Sequence, residues 1–213
     1  VVGTAPIHLS ANGLNLEDTE KQVHYPILAM SYEEAVTKLG YSDDWEKYTL
    51  CEHIYAAFAV YGVSPVVLVN VLDPAYHKSA VASKSYPITA SRQAVLGEDV
   101  LLGSVVAKAA GSGEPLVLGT DYSLGWNRDA EAVLNVLPGG ALASASEVHA
   151  AFDVIDPGKV TAADIVGGYN AVSKRKEGLE LIDQVFMQFG KVPALICAPG
   201  WSEVPEVTAV MTA

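Results

Sequence analysis

Cysteine is scarce in this chain of 213 residues, which contains only Cys51 and Cys197. The two are far apart and form neither a CxxC pair nor a Cys/His cluster at zinc-site spacing. Each lies in an apolar stretch, where a free cysteine behaves as a small hydrophobic side chain. We therefore expect two reduced thiols, as is usual in a cytoplasmic product, and no disulfide framework.

Positive charge is also in short supply. The chain has 13 Lys and Arg against 25 Asp and Glu, a formal net charge of −12. Binding to a phosphate backbone needs clustered cations that displace counterions, so nucleic acid is not expected as a partner. The one dense basic run, Lys174-Arg175-Lys176, is interpreted as a solvated loop just before a helix.

Long hydrophobic runs are missing as well. No stretch approaches the roughly 18 to 20 apolar residues of a membrane span, and no basic region precedes an apolar segment at the start. We expect no membrane partner and no signal peptide. The chain opens on an apolar segment without methionine and closes within an apparent helix, so we expect it to be an excised piece of a longer protein.

Sequence motifs of catalysis are absent. There is no G-x-G-x-x-G, no G-x-x-x-x-G-K-[ST] and no G-x-S-x-G, and these motifs mark phosphate-binding loops and nucleophile elbows. Cys51 and His53 are close in sequence, but helical neighbours point apart. Asp43 and Asp44 are read as charges at a helix N-terminus. We predict no enzyme and no catalytic, cofactor-binding or metal-binding residues.

Two alternatives stay open. Ala198-Pro199-Gly200-Trp201-Ser202 follows a predicted strand, where an α/β sheet can present a small-molecule hydrolase site. Trp201 packing across the turn, with Ser202 as a helix cap, is the simpler interpretation. A carbohydrate-binding module would instead use Tyr122 and Trp126 as exposed, coplanar aromatics, although their alternation with Leu124 favours one buried strand face.

Apolar residues make up 50% of the chain, and their periodicity predicts an α/β fold at both ends. Capping-box patterns at Ser31-x-x-Glu34 and Thr49-x-x-Glu52 predict two helices. The second carries an apolar stripe from Leu50 to Tyr61 and ends at Gly62. A buried strand is predicted at 65–71, a helix from 181 to Gly190, another buried strand at 193–198, and a final helix capped by Ser202.

Between these segments the chain is β-rich. Candidate strands are 100–108, 116–118, 122–126, 133–137 and 148–155, separated by Gly, Asn, Asp and Pro. The fold class is therefore α/β at the ends and α+β overall. We predict a discontinuous α/β domain with a mainly parallel sheet, residues 1–78 and 156–213, and an inserted β sandwich or barrel-like domain, residues 79–155.

Five ordered segments resemble the tail sheath proteins of contractile bacteriophage tails and related injection systems. They are VGTAP at 2–6, LGYS at 39–42 running to YTLCE at 48–52, VVLVNVLDP at 66–74, DPGKVTAADIVGG at 156–168 and APGWS at 198–202. The likeness covers nearly the whole chain, with the inserted region least distinctive. Neither the N-terminal arm nor the C-terminal domain of such proteins is represented.

The resemblance implies a structural subunit of the virion that polymerises with neighbouring sheath subunits around a tail tube protein, after assembly in the host cytoplasm. Contraction would drive the tube through the host envelope for genome ejection, from a phage or a prophage. In such sheaths, terminal arms add strands to the sheets of neighbouring subunits. Because the arms are missing here, we expect this fragment to be monomeric, with its acidic β insertion on the outer face of a sheath.

Overall fold

The computed structural model describes residues 1–11, 13 and 22–212. Two compact units make up the chain. The first joins Val1–His77 to Pro157–Ala213, and the second is Lys78–Asp156. Helices and strands occur together in the first unit and strands dominate the second, which confirms the α+β class.

The first unit is built on a three-stranded sheet of β1 (Val2–Gly3), β2 (Ile27–Ala29) and β3 (Val66–Asn70). Its order is β1-β3-β2, with β1 parallel and β2 antiparallel to β3. The strand predicted at 65–71 is confirmed as β3. A mainly parallel sheet is not confirmed, because this sheet is mixed.

Five α-helices are described in the first unit: α1 (Tyr32–Leu39), α2 (Thr49–Ile54), α3 (Ala162–Val166), α4 (Ile182–Phe189) and α5 (Pro205–Met211). α2 continues as a π-helical segment, Tyr55–Val60. Short 3-10 turns occupy Ile7–Leu9, Pro157–Lys159 and Gly178–Leu181. The prediction that Gly190 ends a helix is confirmed, since it caps α4 with a left-handed φ of 62°.

The two predicted capping boxes differ in outcome. At α1 the Ser31 hydroxyl accepts from the Glu34 amide, while the Glu34 carboxylate accepts from the Met30 amide instead of closing the box on Ser31. At α2 the box is wrong: the helix begins at Thr49 itself. The Thr49 side chain accepts from the Thr4 amide, and the Thr4 hydroxyl accepts from the Thr49 amide. A tertiary contact has replaced the local cap.

The two faces of the sheet are covered differently. Val66 and Leu68 of β3 lie in a core with Leu39 of α1 and with Leu50 and Ile54 of α2. Successive strand residues point to opposite faces, so Val67 and Val69 point to the other side. The predicted stripe of α2 is buried at Leu50, Ile54 and Ala57, but Tyr61 at its end is 75% exposed.

Three predictions about the end of the chain are wrong. Residues 193–198 form no strand, and all but Ala198 of them are at least partly exposed. Ser202 does not cap α5, whose N-cap is Val204. Lys174-Arg175-Lys176 is not a loop before a helix: Arg175 and Lys176 lie in a hairpin of β10 (Gly168–Asn170) and β11 (Arg175–Glu177). The 3-10 turn Gly178–Leu181 separates this hairpin from α4.

The second unit consists of two antiparallel sheets. Strands β4 (Lys78–Pro87), β9 (Glu147–Ile155) and β6 (Val106–Lys108) form one sheet, in that order, and β5 (Gln93–Gly97), β8 (Ala132–Val136) and β7 (Tyr122–Trp126) form the other. Residues from both sheets share one hydrophobic core, including Tyr86, Leu96, Leu134, Val148 and Phe152.

Sequence patterns located some of these strands and missed others. The strands predicted at 122–126, 133–137 and 148–155 are confirmed as β7, β8 and β9, and 100–108 is a strand only at its end, β6. Residues 116–118 contribute one isolated bridge, Leu118 to Tyr122, and no strand. β4 and β5 were not predicted, because most of their residues are exposed or polar.

Candidate functional site

An apolar groove of about 410 Å³ lies on the second face of the three-stranded sheet. The sheet contributes Val2, Leu28, Val67 and Val69 to its lining. Across from them lie Ile182 and Val185 of α4, together with residues 191–197. The second face of the sheet is therefore covered by one short helix and an irregular segment.

The irregular segment leaves apolar side chains in solvent. Val192 is 77% exposed and Leu195 is 76% exposed. The carbonyl of Cys197 accepts a hydrogen bond from the Val2 amide, 3.0 Å away. The segment therefore lies beside β1, where a fourth strand of the sheet would lie, and among the described residues one ladder-type hydrogen bond joins it to β1.

Buried hydrogen bonds fix β1 and the turn after β3. Asn70 is fully buried, and its Oδ1 accepts from the amides of Ala5 and Leu72, at 3.0 and 3.1 Å. Its Nδ2 donates to the carbonyl of Leu72. One side chain thus satisfies backbone groups on two separate segments, so the sheet edge is held in place from within the core.

Cys51 does not form a nucleophile with His53. Burial raises the pKa of the Cys51 thiol to about 12, and the side chain lies in the core. A thiol rather than a thiolate is therefore present at neutral pH, and only the thiolate is a good nucleophile. Burial also lowers the pKa of His53. Both cysteines are free, and Cys197 is half-buried.

A polar cluster lies where the first unit leads into the second. The His77 side chain is buried and its Nδ1 accepts from the Asp73 amide at 2.9 Å, while Nε2 lies 3.7 Å from Oδ2 of Asp164. His24 lies nearby, and burial is the main cause that lowers its pKa, opposed by the carboxylates of Glu177, Asp73 and Asp164. The geometry fixes a turn and aligns no nucleophile.

The alternative site at 198–202 is a structural turn. The Ser202 hydroxyl donates to the Ala198 carbonyl at 2.9 Å, and the Trp201 amide donates to the same carbonyl. Trp201 is half-buried, in keeping with packing across the turn. The Ser202 hydroxyl is thereby engaged by the backbone and is not presented to a general base.

The second alternative required Tyr122 and Trp126 to be exposed together. Tyr122 is buried, 3% exposed, and Leu124 and Trp126 pack against the same core of the second unit. Burial raises the pKa of the Tyr122 hydroxyl, which bonds the backbone of Ala107. The prediction of a single buried strand face is confirmed, so these residues do not present an aromatic platform for sugars.

Among residues 1–11, 13 and 22–212, no group of three or more His, Cys, Asp or Glu side chains is arranged to hold a metal ion. Within the same ranges, no helix is long and apolar enough to cross a membrane.

The groove itself was not predicted from the sequence. Its signal was present in the strand-like run at 193–198, which we read as a buried strand. What the sequence did not reveal is that this run is left open beside β1, with Val192 and Leu195 in solvent.

The chain is similar in sequence to a known phage protein. The chain is 29% identical over 153 residues to a protein described as tail sheath protein from Burkholderia phage BcepMu. The match covers 72% of this chain but 31% of that protein, so the chain spans about a third of the length of its relative. No family model and no solved structure matches the chain. The resemblance to tail sheath proteins that the sequence motifs predicted is confirmed.

Proposed function

We propose that this chain is a core portion of a tail sheath subunit, which polymerises around a tail tube and contracts to drive the tube through a host envelope. The observation that carries the proposal is the similarity to the BcepMu tail sheath protein over 72% of the chain. The role is structural and non-enzymatic. Its partners are neighbouring sheath subunits and a tail tube protein, and its place is the virion after assembly in the host cytoplasm.

The apolar groove is the part of the chain that best fits a neighbouring subunit. An arm strand from another copy would pair along residues 193–198 and cover Val192 and Leu195. Backbone hydrogen bonds would then supply affinity, and alternate side chains would enter the groove beside Val67 and Val69. The apolar lining and the strand-like sequence of this segment support this assignment. At low concentration, where contacts between copies do not persist, we expect the chain alone to be a monomer.

The second unit is assigned to the outer face of the sheath as an inserted domain. Its two sheets share a core of their own, and its first and last strands, β4 and β9, pair with each other from Lys78 and Ile155 onward. An insertion whose ends are neighbours can be added to a domain without disturbing the domain's sheet.

A chimaera tests the proposal. The segment of the BcepMu protein that matches this chain is replaced by the chain, and the product is examined by negative-stain electron microscopy beside the intact BcepMu protein. We expect tubes or stacked rings from both. Size-exclusion chromatography with light scattering should give a monomer of 22.4 kDa for the isolated chain.

Matched variants separate the groove from general surface effects. Leu195→Asp in the chimaera places a charge in the apolar groove and should abolish tubes. Val117→Asp changes an apolar residue of the second unit that is 58% exposed, and tubes should persist. A soluble, folded chimaera that never polymerises would count against the sheath role. Tubes that still form with Leu195→Asp would show that the groove is not needed for assembly.

A further inference from the structure

Two exposed surfaces of the first unit have opposite charge and similar aromatic character. The first, here called the cationic groove, has a volume of about 760 Å³ and is lined by Tyr25, Tyr169, Lys174, Arg175 and Met187, among others. The second, here called the acidic platform, comprises Asp43, Asp44, Trp45, Glu46 and Tyr55, all of them exposed.

The cationic groove is preorganised by the β10–β11 hairpin. Asn170 Oδ1 accepts from the amides of Val172 and Ser173, and Asn170 Nδ2 donates to Glu177. The Arg175 guanidinium lies 5.8 Å from the ring centroid of Tyr25, a cation–π arrangement. The groove thus holds a fixed cation against an aromatic wall before any partner arrives.

Most of the positive charge in this groove is unneutralised by its own chain. Lys176 Nζ lies 2.7 Å from Asp183 and 3.4 Å from Glu180, so its charge is offset. Within the described residues, neither Lys174 nor Arg175 forms an ion pair with a carboxylate. In a chain of net charge −12, two such cations side by side are well suited to an acidic partner.

The acidic platform supplies the matching features. The Trp45 and Tyr55 rings are 5.7 Å apart, and Trp45 Nε1 donates to the Tyr41 hydroxyl at 3.3 Å. Asp44 is paired with Lys47 at 3.1 Å, which leaves Asp43 and Glu46 to face a partner. Aromatic residues flanked by charge are typical of contact surfaces between proteins.

The two surfaces belong to opposite layers of the first unit. α2, which leads into the segment containing Tyr55, packs on the face of the sheet that carries Val66 and Leu68. α4, which contributes Met187 to the cationic groove, packs on the face that carries Val67 and Val69. A copy whose complementary surfaces lie on opposite layers joins the next copy head to tail, the arrangement that builds rings or open polymers.

We propose that the acidic platform of one copy docks in the cationic groove of a second copy, with Asp43 and Glu46 facing Lys174 and Arg175. This inference rests on the proposed function, because it names a contact by which such subunits associate. It is distinct from the apolar groove beside β1 and needs no arm.

Photocrosslinking tests the contact directly in the whole chain. p-Benzoylphenylalanine replaces Tyr55, and this chain is mixed at high concentration and low salt with a ¹⁵N-labelled chain that lacks the photocrosslinker. Crosslinks between copies are then mapped by mass spectrometry. We expect crosslinks from position 55 to the region of Tyr169 and Met187 on another copy. Added salt should lower their yield, because exposed charges are screened.

Charge reversal makes the test specific. The double variant Lys174→Glu, Arg175→Glu should lower the yield about tenfold or more, because like charges are then brought together. This double variant is then mixed with an Asp43→Lys, Glu46→Lys chain that carries the photocrosslinker at position 55. Crosslinking should be restored, because opposite charges face each other again. The double variant Lys84→Glu, Arg128→Glu, which changes net charge equally in the second unit, should leave the yield unchanged.

The outcomes separate this contact from the sheath role. Crosslinks that map elsewhere, no crosslinks between copies, or no rescue by the paired reversal would overturn the contact. If the chimaera still forms tubes in that case, the sheath proposal stands without it. If the chimaera never polymerises but the reversed pair restores crosslinking, the contact holds for this chain and the sheath role fails.

Discussion

Asn70 joins separate segments of the first unit through its buried side chain. It is a polar residue in the strand-like run 66–74, fully buried, and its amide oxygen serves the backbone of both Ala5 and Leu72. A hydrophobic residue of similar size would satisfy the strand pattern equally well. An amide is needed because two buried N–H groups lie close together here: that of Leu72, where the chain leaves β3, and that of Ala5, in the segment that follows β1.

Substitution of Asn70 should therefore be costly. In Asn70→Ala two buried amides lose their acceptor, and we expect the free energy of unfolding of the first unit to fall by about 2–4 kcal/mol. Urea denaturation followed by circular dichroism measures it. Asn135→Ala is the control, because the Asn135 side chain bonds the exposed Gln93 side chain, and its loss should cost less than about 1 kcal/mol. Equal effects of the two substitutions would contradict the role of Asn70.

His24 should make the stability of the first unit dependent on pH. Burial lowers its pKa in the folded state, and Nδ1 accepts from the Gly178 amide at 3.4 Å, so protonation also removes an acceptor. The unfolded chain takes up a proton near pH 6.5 and the folded chain only at lower pH. The stabilisation is thus fully present above about pH 6.5 and is lost as the pH falls towards the folded pKa.

Thermal melts between pH 7.5 and 5 measure this dependence. We expect the melting temperature to fall with acidification. The slope against pH should be smaller in His24→Asn, because the titrating imidazole is gone. Asn is chosen because it tolerates the positive φ of 49° at this position. Burial also lowers the pKa of His53, so His24→Asn combined with His53→Gln should flatten the profile further. An unchanged slope in both variants would show that other groups set the pH dependence.

At the scale of single elements, the β10–β11 hairpin depends on the glycine that precedes it. Gly167 has a φ of 73°, a left-handed conformation that costs an L-residue about 1–2 kcal/mol. A Cβ at this position would also overlap the carbonyl of Glu177, the last residue of β11. The close approach of the two backbones is what seats the hairpin beside α3.

Two glycine substitutions distinguish the cost of a left-handed backbone from the cost of steric overlap. Gly190→Ala meets the same left-handed requirement, φ 62°, with nothing within 4 Å of the new Cβ, and should cost about 1 kcal/mol. Gly167→Ala adds the steric overlap and should cost about 3 kcal/mol or more. Chemical denaturation compares the two, and protection of the hairpin amides from hydrogen exchange should fall in Gly167→Ala alone. Similar costs would mean that the hairpin can move away from Gly167 freely.

The elements that the sequence predicted correctly are those whose signal is local. β3 has a continuous apolar run, and α4 has an amphipathic stripe ended by Gly190, so both could be read without knowing their neighbours. The failures lie where a tertiary contact decided the outcome. The Thr49 side chain accepts a hydrogen bond from the Thr4 amide instead of capping its own helix. Residues 193–198 have a strand-like sequence but, within the described part of the chain, form only one ladder-type hydrogen bond with β1.

The candidate sites were less predictable than the elements. At Ser202 the deciding fact is the hydrogen bond from its hydroxyl to the Ala198 carbonyl. For Tyr122 and Trp126 it is their packing in the core of the second unit. The groove beside β1 and the acidic platform each combine residues ten or more positions apart, such as Trp45 with Tyr55. No local periodicity reports such combinations, because they depend on which faces the sheet and helices leave uncovered.

At the scale of the whole molecule, the division into two units makes a prediction about cooperativity. Lys78 is paired with Ile155 across β4 and β9, so the chain enters and leaves the second unit at neighbouring positions. That unit also has a core that includes Leu134, which is fully buried. A segment with its own core and adjacent ends is expected to fold when expressed alone.

Expression of residues 78–156, and of the chain with these residues replaced by a short Gly-Ser linker, tests that independence. Each product should unfold cooperatively, and calorimetry of the whole chain should resolve two transitions. Leu134→Ala should destabilise the isolated second unit by about 2–5 kcal/mol, and in the whole chain it should shift only one transition. If it shifts both equally, or if neither product folds, the chain unfolds as one cooperative body. The second unit could not then be varied without affecting the stability of the first.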